Sequence, residues 1–275
     1  MSEDTARIIA ELDAWEQREG QLPPSLNLYR RLLVLQEAAR ERLGGETPVD
    51  EAEARDRFGR GEPMLTFVDL HPNWDAVRHL AREAARVLAE ESPRLTAGLE
   101  QAGRVLEDDA RFRSAAERWY AGLAPEKMSP RAASALEMLV FVSLRPLVVE
   151  RASALRPLVE QKLWRRRNCP VCGGSADIAY LDAESAARWL VCRRCDSPWL
   201  FQRVLCPACG TREQQKLSYI QDESGRYRLY LCDECHCYIK ALDLRQGSAQ
   251  VRWDLERVLT LDLDRQALEM SYHPC

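Results

Sequence analysis

CPVCGGSADIAYLDAESAARWLVCRRC (169–195) is followed, after a short spacer, by CPACGTREQQKLSYIQDESGRYRLYLCDEC (206–235). The two stretches are one pattern written twice. Each opens on Cys-Pro-x-Cys-Gly, then passes a tyrosine (Tyr180, Tyr219) and a short acidic, serine-bearing segment (182–185, 222–224). Each then enters an alternating apolar and charged run that delivers a second Cys-x-x-Cys. The paired cysteines are Cys169, Cys172, Cys192, Cys195, Cys206, Cys209, Cys232 and Cys235.

Coordination chemistry explains the spacing. A tetrahedral ion needs four sulfurs about 2.3 Å away. A Cys-x-x-Cys turn supplies two of them, with backbone N–H groups turned toward the thiolates. Pro170 and Pro207 suit the fixed φ of such a turn, and Gly173 and Gly210 suit a positive φ just after it. A hairpin of about twenty residues then carries the second turn round to the far side of the ion, as in zinc ribbons and rubredoxins. The expected fold class is therefore α+β: an all-helical N-terminal domain (1–163) and two tandem rubredoxin-like or zinc-ribbon metal-binding units. The second domain spans 164–275, with units at 169–200 and 206–245. The implied cofactors are two iron ions or two zinc ions, since both accept tetrahedral thiolates. Sequential pairing, Cys169/Cys172 with Cys192/Cys195 and Cys206/Cys209 with Cys232/Cys235, stands beside a crossed arrangement drawing on both halves.

Such a site has no open coordination position, so the ion cannot polarise a substrate, and the expectation is a protein that is not an enzyme. Disulfide exchange is disfavoured by the doubled spacing. His236 and Cys237 are read as lying outside the ligand set, and Cys275 as terminal and unpaired.

The remaining sequence bounds the setting. At 275 residues, 46% of them hydrophobic, the chain has material for two domains. MSEDTARIIAELDAW opens with charge and helical periodicity, so neither a signal nor a transit peptide is expected. Met138–Leu144 is too short for a membrane span and precedes Arg145-Pro146, so no membrane insertion is expected. Cysteine pairs in such a chain point to a reducing cytoplasm. Net charge is −4, and from 161 onward 17 Lys/Arg face 15 Asp/Glu. Four thiolates per divalent ion leave roughly −2 at each site, so nucleic acid is disfavoured as a partner.

Within 1–160, helical periodicity recurs. Ile8, Ile9, Leu12 and Trp15 end at Gly20 and Pro23-Pro24, with Ser25 as the expected cap of the next helix. Leu28 to Leu43 forms that helix, and 46–62 reads as a polar loop with one helical turn. Val77, Leu80, Ala81, Ala84 and Leu88 mark a strong amphipathic helix, and further helices are expected at 94–106, 109–122 and 129–163. Pro146 should kink or split the last. Its broad apolar face marks a core helix. His71 and His79 are isolated surface or capping residues. Arg165, Arg166 and Arg167 suit a solvated helix end better than a phosphate contact.

CPVCG, RWLVCRRC, Trp199-x3-Arg203, CPACG, LSYIQDES (217–224) and CDEC-x2-Tyr238-x-Lys240 together resemble the formate dehydrogenase accessory protein family, FdhE. The likeness is dense over 169–240 and looser over 1–168. Cys237 stands where that family has another residue, and the family's tail runs past the position of Cys275. The resemblance implies a cytoplasmic, rubredoxin-like metalloprotein that acts as a chaperone in maturation. It implies binding of the formate dehydrogenase catalytic subunit before export, with iron at the same eight cysteines. A zinc-ribbon nucleic-acid-binding protein and a rubredoxin-type electron carrier are the competing expectations.

Overall fold

The computed structural model describes residues 2–45, 49–125, 127–247 and 251–275. Two compact units divide the chain: 1–49 with 66–151, and 50–65 with 152–275.

The first unit is helical. Helices α1 (Glu3–Glu19), α2 (Pro24–Ala39), α4 (Trp74–Glu91), α5 (Thr96–Leu106) and α6 (Asp109–Tyr120) precede α7 (Pro130–Leu155). Ser2 caps α1 by accepting from the Thr5 N–H, and Asn73 caps α4 by accepting from the Ala76 N–H. Ser25 does not cap α2: the helix begins at Pro24, whose missing N–H costs nothing in a first turn. The buried face of α4 is Val77, Leu80, Ala81, Ala84, Val87 and Leu88, the stripe its periodicity predicts.

Pro146 does not split α7. Proline removes the donor that would bond the carbonyl four residues back, that of Val142. Gln36 Nε2, on α2, donates to the Val142 carbonyl at 2.8 Å and satisfies it. The helix stops at Leu155, short of the expected 163. With the turn that follows, Pro130–Leu158 is long and apolar enough to cross a membrane by length and composition, which Met138–Leu144 alone does not suggest. Yet 61% of its most apolar window is buried in protein, as in a core helix.

The second unit holds the sheet. Its strands are β1 (Ala176–Leu181), β2 (Arg188–Cys192), β3 (Pro198–Phe201), β4 (Leu217–Gln221), β5 (Tyr227–Cys232), β6 (Cys237–Asp243) and the short β7 (His273–Pro274). The order is β3-β2-β1-β6-β5-β4, with β7 added to β6. The two halves of the repeat are thus one mixed sheet. Antiparallel pairs run within each half, and β1 meets β6 in parallel from Ile178↔Lys240 to Leu181↔Asp243. Each hairpin places an aromatic pair across its strands, Tyr180 with Trp189 and Tyr219 with Tyr230. Each turn is tied the same way: Asp182 accepts from the Ser185 N–H and hydroxyl, and Asp222 from the Ser224 hydroxyl and the Tyr227 N–H.

The outer edge of β3 is blunted. Residues 198 and 200 point their backbone nitrogens to the same side, and the first is a proline. The Leu200 N–H donates to Gln161 Oε1 at 3.0 Å.

Two C-terminal helices, α8 (Trp253–Leu259) and α9 (Leu261–Glu269), pack on the sheet. Trp253 stacks on Tyr180 over Ile178, Val191 and Leu242, while Ala267 and Leu263 pack on Leu229, Leu231 and Tyr238. Lys240 is buried and donates to Asp264 Oδ2 at 2.7 Å, and the Tyr238 hydroxyl donates to Asp264 Oδ1 at 2.9 Å.

Helix α3 (Glu51–Gly59), longer than the single turn expected in this stretch, also belongs to this unit. Asp50 caps it by accepting from the N–H groups of Ala52 and Glu53, and Phe58 stacks on Trp164. The expected loop at 46–62 is therefore helical from Glu51 to Gly59; residues 46–48 lie outside the described residues.

Candidate metal centres

The eight paired cysteines gather as two groups of four, 169/172/192/195 and 206/209/232/235, with the sulfurs of each group within 4.8 Å of one another. Grouping is sequential, not crossed. In the first group Cys169 and Cys195 sulfurs lie 3.6 Å apart and those of Cys172 and Cys192 3.4 Å apart. In the second, Cys206–Cys235 is 3.7 Å and Cys209–Cys232 is 3.8 Å. Four sulfurs at 2.3 Å from a tetrahedral centre would be about 3.8 Å apart, so both groups have the size and donor set for a zinc or iron ion.

Local backbone geometry aims the sulfurs. N–H groups of Val171, Arg194 and Ala208 each donate at 3.4 Å to the first sulfur of their turn, on Cys169, Cys192 and Cys206. The residue after every second cysteine is left-handed: Gly173 (φ 73°), Asp196 (57°), Gly210 (80°) and His236 (52°). Glycine does this without cost, while Asp and His are among the side chains that tolerate it. His236 therefore serves the turn, with its ring against Tyr272.

The first centre is enclosed. All four of its cysteines are buried. Backbone from α3's side reaches it, the N–H groups of Met64 and Leu65 donating to the carbonyls of Pro170 and Val171. Arg156 donates to the Cys195 carbonyl and Ser197 hydroxyl. Arg257, from α8, donates to Asp177 twice (2.7 and 3.0 Å), to Asp196 (2.6 Å) and to the Cys192 carbonyl (2.9 Å). Burial works against this guanidinium's charge, but Asp177 and Asp196 more than offset it and raise its pKa above the ordinary arginine value. Trp199 is buried beside them and donates to the Arg166 carbonyl.

The second centre is more open, with Cys209 exposed and Cys235 half-buried. Burial pushes the Cys169 thiol well up, neighbouring thiols adding to it. Burial also drives Cys232 up to about 12, despite N–H donors from Cys235 and Glu234. At Cys206 burial opposes ionisation, yet N–H groups of Cys209 and Ala208 outweigh it and lower the pKa.

Cys237 and Cys275 form a disulfide, which corrects the expectation that Cys275 is unpaired. The tail reaches Cys237 because the N–H groups of His273 and Cys275 donate to the His236 and Tyr238 carbonyls. Parity could have found the pair: ten cysteines less the eight in Cys-x-x-Cys pairs leave two. Beside them a cavity of about 220 Å³ is lined by Arg188, Arg203, Cys206, Cys237 and Cys275 among others. Arg188 is buried over the rings of Phe201 and Tyr230. Burial pulls its pKa down to about 10, so it remains a cation at neutral pH.

The arginine run is not a helix end. Arg165, Arg166 and Arg167 are exposed on irregular chain, with Arg166 over the Trp164 ring. His71 and His79 are exposed.

No family model matches the chain. Among curated proteins, an FdhE homolog of Aquifex aeolicus is 32% identical over 141 residues, 50% of this chain and 49% of that protein. An FdhE homolog of Shewanella baltica is 29% identical over 125 residues, 44% of this chain and 40% of the other. The FdhE protein of an Escherichia coli strain is 32% identical over 112 residues. The crystal structure of FdhE from Pseudomonas aeruginosa shares the fold, with a TM-score of 0.63 at 20% identity over 90% of this chain and 86% of that one. Over these stretches the chain is similar to proteins named FdhE. Its matches span about half the length, or less, of these curated relatives. The likeness to FdhE drawn from the cysteine repeat thus holds, and the helical-plus-mixed-sheet fold goes with it.

Proposed function

We propose that this FdhE-like chain is a non-enzymatic accessory protein in formate dehydrogenase maturation, one that binds the immature catalytic subunit in the cytoplasm. In this reading Cys169, Cys172, Cys192 and Cys195 hold one ion, and Cys206, Cys209, Cys232 and Cys235 hold another, as iron or zinc in rubredoxin-like units within the 164–275 domain. The observation that carries it is the pair of four-thiol sets in a chain similar to proteins that bear the FdhE name. The supporting argument is chemical. Four thiolates saturate each ion, so the metals order a surface and do not activate a substrate. What such ions supply is folding free energy, because four converging thiols repel one another once ionised and need a cation to hold them.

Deletion of the gene in a formate-oxidising host tests the role. Formate dehydrogenase activity should fall while the catalytic polypeptide is still made. Unchanged activity in the deletion strain sinks the proposal. Metal analysis with visible spectroscopy on anaerobically purified protein identifies the ion, since a ferric tetrathiolate is red and zinc is colourless.

A further inference from the structure

The second centre has more sulfur than one ion needs. Cys206 belongs both to its group of four and to a second group with Cys237 and Cys275, whose three sulfurs lie within 4.8 Å of one another. The Cys206–Cys237 separation is 3.5 Å, close to the edge of a thiolate tetrahedron.

Thiol–disulfide exchange is the first alternative, with Cys206 attacking the neighbouring disulfide. Attack along the S–S axis at the observed 3.5 Å would put the Cys206 and Cys275 sulfurs about 5.5 Å apart, given a bond of about 2.05 Å. The observed limit of 4.8 Å forbids that line. Once reduction parts the Cys237 and Cys275 sulfurs, the three lie close enough together to serve as ligands on one ion.

The tail also keeps its place without the disulfide, through backbone bonds from His273 to His236 and from Cys275 to Tyr238. All three cysteines line the cavity. Electrostatics permits a second ion as well. A divalent cation cancels the two thiolates it recruits, so the centre keeps the net charge of a four-cysteine site, beside the buried Arg188 cation.

We propose that reduction of the Cys237–Cys275 disulfide creates a third metal site, in which Cys206, Cys237 and Cys275 bind a thiophilic divalent cation of the zinc class. Cys206 bridges this ion to its neighbour, and the fourth coordination position opens into the cavity. Such a position accepts an outside donor, unlike either closed site. The site rests on the reading that Cys206, Cys209, Cys232 and Cys235 already hold an ion. A trialkylphosphine supplies the reduction: the S–S bond breaks, the phosphine becomes its oxide with oxygen from water, and two thiols form. Metal binding then releases their two protons.

Cadmium titration of the full-length, demetallated chain tests this, read by thiolate-to-metal charge-transfer absorption and native mass. Phosphine-reduced protein should take three cadmium ions, and protein with the disulfide intact two. Cys275→Ser and Cys237→Ser should each take two under both conditions. Two ions in the reduced native chain would overturn the third site and leave the two four-cysteine sites standing. Fewer than two in both variants would sink the underlying reading, and the third site with it.

Discussion

Replacing Arg257 with methionine should uncouple the first metal centre from the helix that braces it. The guanidinium makes four hydrogen bonds, to Asp177, Asp196 and the Cys192 carbonyl, and its side chain is 14% exposed. Counted singly at about 1.5–3 kcal/mol each, such charged bonds would total roughly 6–12 kcal/mol. They share one donor group, however, and removing one partner of a buried pair costs about 3–5 kcal/mol in all. Methionine keeps the apolar stem, so the loss is that of the charge and its bonds. Against a domain stability of about 5–15 kcal/mol the effect is large. Denaturant unfolding followed by tryptophan fluorescence, reported by Trp189, Trp199 and Trp253, measures it. The same change takes one partner each from Asp196 and the Cys192 carbonyl, which shape the turn carrying Cys192 and Cys195. Affinity at the first centre should therefore fall by about 10–100-fold, as for other residues that orient metal ligands. Chelator competition in a Cys209→Ser, Cys232→Ser background isolates that centre. A variant that unfolds within about 1 kcal/mol of its parent and holds metal equally well would refute the argument.

Gly174→Ala should weaken the first centre by about tenfold, because the new Cβ would stand 3.0 Å from the Cys192 sulfur and 3.4 Å from that of Cys172; metal competition reads it. Under a chelator or a thiol reagent the second centre should lose its ion first, since Cys209 is exposed while the first centre's cysteines are all buried. Mass spectrometry of partly stripped protein would show the order, and loss from the first centre first would contradict it. Asp243→Asn should cost about 3–5 kcal/mol by leaving Arg228 unpaired in the sheet. Arg245 hydrogen bonds, with Arg228 adding, hold the Asp243 carboxyl below the usual range. A depressed folded pKa means this stability is complete above the unfolded value of about 3.9 and fades as pH falls below it. The native chain should therefore lose stability in that acid window and the variant should lose less; parallel unfolding curves from pH 5 to pH 2 would count against it.

The cysteine repeat was readable because the requirements of a four-thiol site are local: two cysteines per turn and one hairpin per group of four. Tyr238 and Lys240 stood out as family markers, and both meet Asp264. What joins the halves was not readable. Ile178 and Lys240 pair in parallel across more than sixty positions, and nothing in either strand's alternation encodes that register. The length of helix α3 was hidden by charge, with only Ala54 and Phe58 buried in EAEARDRFG, too few for a periodic signal beyond one turn. Pro146 misled for a different reason. The rule for a helix-breaking proline assumes its orphaned carbonyl has no other donor, and Gln36 supplies one from a hundred residues away.

The parallel seam between β1 and β6 has a further consequence. Within the repeat, β3 corresponds to β6 and β4 to β1, so the first copy meets the second head to tail. A head-to-tail contact does not use itself up: the free edges at the two ends of the sheet are the same two surfaces that meet in its middle. A chain built this way carries the template for adding another molecule by the rule that joins its own halves, and that growth runs on as a filament unless it closes. Pro198 and the bond from Leu200 to Gln161 remove the donors on one of those edges. Gln161 thus takes up an edge donor that such growth would need.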